Sequence, residues 1–163
     1  MAIPVDDLKL THVPSVKVGM LIRRPPGEVF QAIVDPAVTT RFWFTGSSGE
    51  LVPGAKVRWD WEMYGVSTQV SVREVEDDRR VLFEWGDDDE STRVEFRFVP
   101  YDDEATYVGV TESGLGGDGD QVVSRVAGST GGFCQVLCAM KALLEHDVVL
   151  TVVADRFPKG LEP

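Results

Sequence analysis

Two histidines stand in a chain of 163 residues, His12 and His146, and neither has the neighbours that make an imidazole reactive. Neither belongs to an HExxH pair and no GxSxG elbow is present, so zinc-hydrolase and triad chemistry have no footing. His146 closes the last helical pattern of the chain, where an imidazole answers the negative end of a helix dipole. The run Gly114-Leu115-Gly116-Gly117-Asp118-Gly119 spells the dinucleotide fingerprint GxGxxG. Its surroundings argue against that use: Glu112, Asp118 and Asp120 would repel a pyrophosphate, the strand before it has an antiparallel pattern, and too little chain follows for a second βαβ half. Nor do these acids have the twelve-residue spacing of a calcium loop. The stretch reads as a flexible loop leading into the last helix, placed to act as a lid. Neither a metal nor a cofactor is expected.

Glu112 is the one weak candidate for acid–base work. It shares strand parity with Val108 and Val110 and so could point inward at the loop end of the sheet. Solvent exposure at a sheet edge is the more ordinary expectation, and no catalytic residue is assigned. Cys134 and Cys138 lie four apart on a helical pattern, where a disulfide would be strained; small buried side chains are expected. The acidic runs at 87–90 and 102–104 read as solvated turn tips.

Composition narrows the class. With 27 acidic and 16 basic residues the formal charge is -11, which repels nucleic-acid phosphates and anionic lipid surfaces. No apolar run approaches the about 20 residues that cross a bilayer. The start, MAIPVDDLKL, lacks a basic region followed by an apolar one, so the cytoplasm is the expected compartment. A hydrophobic fraction of 43% suits a soluble protein with one real core.

The elements that must position any site follow from periodicity. Residues 16–22 make a first strand. Pro25 and Pro26 then mark a helix start, Val29, Phe30, Ile33 and Val34 share one helical face, and Asp35 before Pro36 both stops that helix and caps a second. Beyond them the period changes to two. Val57, Trp59, Trp61 and Met63 alternate with charged residues, and the same two-residue rhythm runs through Val66, Thr68, Val70 and Val72, then Val81, Phe83 and Trp85, then Val94, Phe96 and Phe98, then Val108 and Val110. Turn clusters at 53–54, 64–65, 76–79, 86–90 and 100–104 imply antiparallel neighbours. From about 120 to 147 apolar residues return at helical spacing, with Asp120 as an available cap. Gly131 and Gly132 weaken that helix by about 1 kcal/mol each against alanine, so a bend or a close backbone approach is expected there. This predicts an α+β architecture: six to seven antiparallel strands curled around one long C-terminal helix, with two short helices after the first strand. One domain, 1–163, has its core at about 15–147 and a tail at 148–163 whose structure the pattern does not reveal.

The segments RRPPGEVFQAIVDPAVTTRFWF, LVPGAKVRWDW, RRVLFEW, EATYVGVTESG and GGFCQVLCAMKALLEH, in that order, resemble the single-domain bacterial homologues of the heat-shock protein 90 ATPase activator, in the START-like (SRPBCC), birch-pollen-allergen-like helix-grip superfamily. The resemblance spans most of the chain. It implies an apolar cavity between sheet and long helix, in a superfamily that includes lipid and hormone binders, polyketide cyclases and chaperone co-factors. Two positions depart from the pattern: Pro53-Gly54 stands where relatives often have Gly-Gly, and Gly132-Phe133 where many have Gly-Trp. Eukaryotic activators carry a further domain that is not seen in these residues.

Trp59, Trp61 and Trp85 fall on apolar strand positions expected to face Phe133, Leu137 and Met140 of the helix. A filled core and an open pocket both fit these residues, and the resemblance favours the pocket. Its expected lining is Phe30, Phe42, Trp43, Trp59, Trp61, Phe83, Trp85, Phe96, Phe133, Leu137 and Met140. The leading expectation is a hydrophobic small-molecule (apolar, aromatic or lipid-like) binding protein, more readily a binder than an enzyme. A heat-shock chaperone co-factor comes second, and a cavity-based cyclase or lyase using Glu112 third. Monomer and homodimer are both compatible with the exposed strand edges.

Overall fold

The computed structural model describes residues 8–161. Strand β1 (Val16–Ile22) leads into α1 (Pro26–Val34) and α2 (Pro36–Thr39). Five of the nine residues of α1 are buried: Val29, Phe30, Ala32, Ile33 and Val34. Asp35 serves both helices, its N–H donating to Gln31 O and its Oδ1 accepting from Ala37 N at 2.9 Å. The double role expected of it is what an Asp-Pro step permits.

A two-residue strand β2 (Gly46–Ser47) follows, then β3 (Lys56–Trp61), β4 (Val66–Glu76), β5 (Arg80–Trp85), β6 (Thr92–Tyr101) and β7 (Ala105–Ser113). Every neighbouring pair is antiparallel, in the order β1-β7-β6-β5-β4-β3-β2. The register sets Val16 opposite Glu112, Val18 opposite Val110 and Met20 opposite Val108, so the first strand closes the sheet beside the last. A bulge between Val72 and Glu74 shifts β4 against β5. Met63 was expected in β3 but lies in a 3-10 turn, Glu62–Tyr64, and is exposed. The strand ends at Trp61 because the chain must reach Gly65, which closes the turn with φ 62°, a left-handed conformation that favours glycine.

The long helix α3 (Gly119–His146) is continuous over 28 residues. Its cap is Asp118 rather than Asp120. Asp118 accepts from Gln121 N while Gln121 reaches back to Asp118 N, a capping box that the Asp-x-x-Gln spacing provides and Asp120 lacks. Phe133, Val136, Leu137, Ala139, Met140 and Leu143 are buried, whereas between Val122 and Phe133 no residue is. The C-terminal half therefore makes most of the helix's core contacts, and the N-terminal half adds the buried Val122 and the partly buried Val126. Lys141 Nζ donates to Leu21 O at 2.8 Å, and Glu145 accepts from Arg23 N at 2.9 Å, fastening the gripping half to the end of β1. Cys134 and Cys138 are exposed, contrary to expectation. They share the face opposite Phe133, Val136, Leu137 and Met140, which leaves solvent as their only side. The tail turns back through a short helix, α4 (Val152–Asp155), onto the exposed half of α3.

Candidate functional site

The aromatic residues expected to line a pocket divide into two groups. Phe30, Phe42, Trp59, Phe83, Phe96, Leu137 and Met140 are at most 3% exposed and fill the core. Trp59 stacks on Phe44 with centroids 4.3 Å apart and meets Phe83 edge-on at 5.3 Å; Phe30 meets Phe98 at 5.7 Å. Such close pairing leaves no room for a ligand among them. Trp61 and Trp85, both half-buried, instead lie on the wall of an open groove of about 490 Å³, with the buried Trp43 and Phe133 closing its base. Trp85 and Phe133 stack at 5.9 Å and form its floor with Trp43, which lies 5.9 Å from the one and 6.0 Å from the other.

The groove lies between α3, the β3–β4 hairpin and the tail. Gly128, Ser129, Gly132, Gln135 and Val136 supply the helix wall, Tyr64 and Val66 the hairpin wall, and Val153, Arg156 and Phe157 the tail wall. A Cβ on Gly132 would lie 2.8 Å from Arg156 Nη1, and one on Gly131 3.1 Å from Nη2. The glycines thus mark a close approach, not a kink: the guanidinium lies on bare helix backbone, donates to Gly128 O at 3.0 Å and sits 5.0 Å from the Phe157 ring centroid. Tyr64 Oη donates to Val153 O and accepts from Phe157 N at 3.3 Å.

Glu112 is 3% exposed, which corrects the expectation of an edge position. Parity with Val108 and Val110 points it inward, and pairing of β7 with both β1 and β6 removes the edge. Its Oε2 accepts from Thr92 Oγ1 at 2.6 Å and Trp85 Nε1 at 2.9 Å. It also lines a polar recess, about 530 Å³, that shares Trp61, Val66, Trp85, Gly128 and Ser129 with the apolar groove. At the recess mouth Ser67 Oγ donates to Asp60 at 2.7 Å and, with Arg58, holds that carboxyl below its ordinary value. The loop with the GxGxxG spelling packs Leu115 into the interior at 4% exposure and borders the recess there. Among the described residues no cluster of three or more His, Cys, Asp or Glu is placed to hold a metal ion, and no helix is long and apolar enough to cross a membrane.

Sequence reasoning missed Tyr64, Val66, Val153, Arg156 and Phe157. Only the helix glycines signalled that something would come close, without saying what.

A curved antiparallel sheet gripping one long C-terminal helix, open at one end onto an aromatic groove, is the helix-grip class of protein. Within that class, the family model described as Activator of Hsp90 ATPase homolog 1-like protein matches residues 23–145, and the chain belongs to this family. Among solved structures, protein SSP2350 from Staphylococcus saprophyticus is similar at 27% identity, with TM-score 0.73 over 84% of this chain and 96% of that one. DynU16, a protein of the dynemicin biosynthetic locus, is 26% identical with TM-score 0.73, covering 83% of this chain and 48% of its own. The Aha1 dimer from Colwellia psychrerythraea shares the fold at 18% identity and TM-score 0.71, over 82% of this chain and 97% of that one. Comparison with curated proteins finds no match.

Proposed function

We propose that this protein binds a small apolar or aromatic molecule in the groove between Trp61, Trp85 and Phe133. The groove itself carries the reading. Its volume of about 490 Å³ lies within the 300–1,000 Å³ usual for small-molecule sites, and its Trp61 and Trp85 walls are only partly covered by the protein's own side chains. Trp61 and Trp85 remain half-buried while every other large aromatic of the sheet's inner face is enclosed. A planar ligand there recovers the burial that these rings lack, at roughly 25 cal/mol per Å². The origin of DynU16 in a biosynthetic locus lends support to a small-molecule ligand. The test is titration with the neutral probe N-phenyl-1-naphthylamine, whose emission rises in apolar sites. Saturable enhancement in the native protein, lost in Ser129→Phe where a ring fills the groove, is expected; no enhancement, or equal enhancement in the variant, refutes the reading.

Family membership favours a second reading, a co-factor that acts on a heat-shock chaperone through its surface. Measuring the ATPase rate of the cognate chaperone with and without this protein decides it, and an unchanged rate rejects it.

A further inference from the structure

Glu112 is the buried titratable group that an apolar groove leaves unexplained. Both of its hydrogen-bond donors, Thr92 and Trp85, converge on Oε2. Oε1 is fully buried and meets no donor among the described residues. The cation that lines the recess, Arg125, donates to Gly116 O at 3.0 Å and Glu90 O at 3.3 Å and makes no bond to Glu112. A carboxylate oxygen withdrawn from water and left without a donor is costly, and the cost is recovered only if a donor arrives.

The position says where that donor comes from. Glu112 lines a recess that shares Trp85 with the apolar groove, and the Trp85 indole stacks on Phe133 through its ring while its N–H points to Glu112. Trp85 and Glu112 thus border one recess, and a molecule lying against Trp85 meets Oε1 once the Glu112 carboxylate turns from its buried position toward it. Asp87 and Glu90 line the recess with Glu112 against the single cation Arg125, so its field favours a cation over an anion. Arg156, the other cation on the groove, is held by Gly128 O and the Phe157 ring.

Building on the groove reading, we propose that Glu112 Oε1 is the polar recognition point of the site, and that the ligand class is an aromatic or apolar body bearing a protonated amine. Oε1, turned into the recess, accepts from the amine, the body covers Trp85 and Trp61, and carboxylate-ended molecules such as fatty acids are rejected.

Three matched probes test this by calorimetry on the full chain: 1-naphthylmethylamine, 1-methylnaphthalene and 1-naphthoic acid. The amine should bind at least about tenfold tighter than the hydrocarbon and the acid more weakly than either, the margin expected of one charge-assisted hydrogen bond in a water-poor site. In Glu112→Gln the amine's advantage should collapse while the affinity for 1-methylnaphthalene is kept, a change in ratio that a purely structural role would not produce. Equal binding of amine and hydrocarbon to the wild-type chain overturns the proposal and leaves the groove standing, with no variant needed. Retention of the amine preference in Glu112→Gln also overturns it. If none of the three probes binds, the groove reading falls and the proposal with it.

Discussion

Replacing Thr92 with valine removes one hydroxyl and little else, so its effect can be worked from the structure. Thr92 is 5% exposed and Glu112 3%, and their contact is a 2.6 Å hydrogen bond to a carboxylate oxygen. Hydrogen bonds to charged groups contribute about 1.5–3 kcal/mol, and the extra buried methyl returns about 0.8 kcal/mol. Valine has the shape of threonine, so no cavity term enters. The net expectation for Thr92→Val is a loss of about 1–2 kcal/mol, which for a chain of this size lowers Tm by about 2–8 °C. Urea unfolding followed by tryptophan emission measures it directly. A double-mutant cycle with Glu112→Leu isolates the contact, because the double variant retains neither the Thr92 O–H without its acceptor nor the carboxylate without that donor, Trp85 Nε1 bonding to whichever oxygen remains in each single variant. The double variant should lie at least about 1 kcal/mol above the additive sum. A Thr92→Val effect within about 0.5 kcal/mol together with zero coupling would show that Thr92 does not hold Glu112, and the argument for a free Oε1 would fail with it.

Other outcomes follow from the same geometry. Gly132→Ala gains about 1 kcal/mol of helix propensity but displaces Arg156 from Gly128 O, worth about 0.5–1.5 kcal/mol. Global stability should therefore change little while limited proteolysis near residues 152–157 accelerates; unchanged cleavage would deny that Arg156 latches the tail. Burial works to raise the pKa of Glu145, yet the Lys141 ammonium at 2.6 Å and Arg23 N–H, with the charges of Lys141 and His146, outweigh it and hold the group below its ordinary value of 4.5. Its carboxylate thus stabilises the fold above that value, and the contribution is lost as pH falls through the lower folded value. Glu145→Gln should cost stability at pH 7 and converge on wild type in acid, whereas a gap independent of pH would contradict the assignment. Cys134 and Cys138 should both react with a thiol reagent in the native state; protection of either would contradict their exposure.

Local chemistry explains which features were legible in the sequence. Pro25, Pro26 and Asp35 act through their own backbone restrictions, so helix boundaries followed directly from them. Period-two alternation likewise located the major strands. Gly46–Ser47 has no apolar alternation and pairs only because β3 passes beside it. The face of α3 that Cys134 and Cys138 occupy depends on where the sheet lies, which neither residue encodes. The site was harder still. Spacing placed Trp61, Trp85 and Phe133 on inward faces but could not separate filled core from open wall, because that depends on how α3 lies across the sheet and on a tail without a readable period. Glu112 carried the correct parity signal, outweighed by the general rule that glutamates are exposed.

The most direct test of the groove is a heteronuclear NMR titration with N-phenyl-1-naphthylamine. Saturable shifts are expected at the indole N–H groups of Trp61 and Trp85 and at the amides of Gly128, Gly132 and residues 153–157, the walls of one groove. Shifts confined to the outer face of the sheet around Arg73, Glu84 and Arg93, or none at saturating probe, would contradict it.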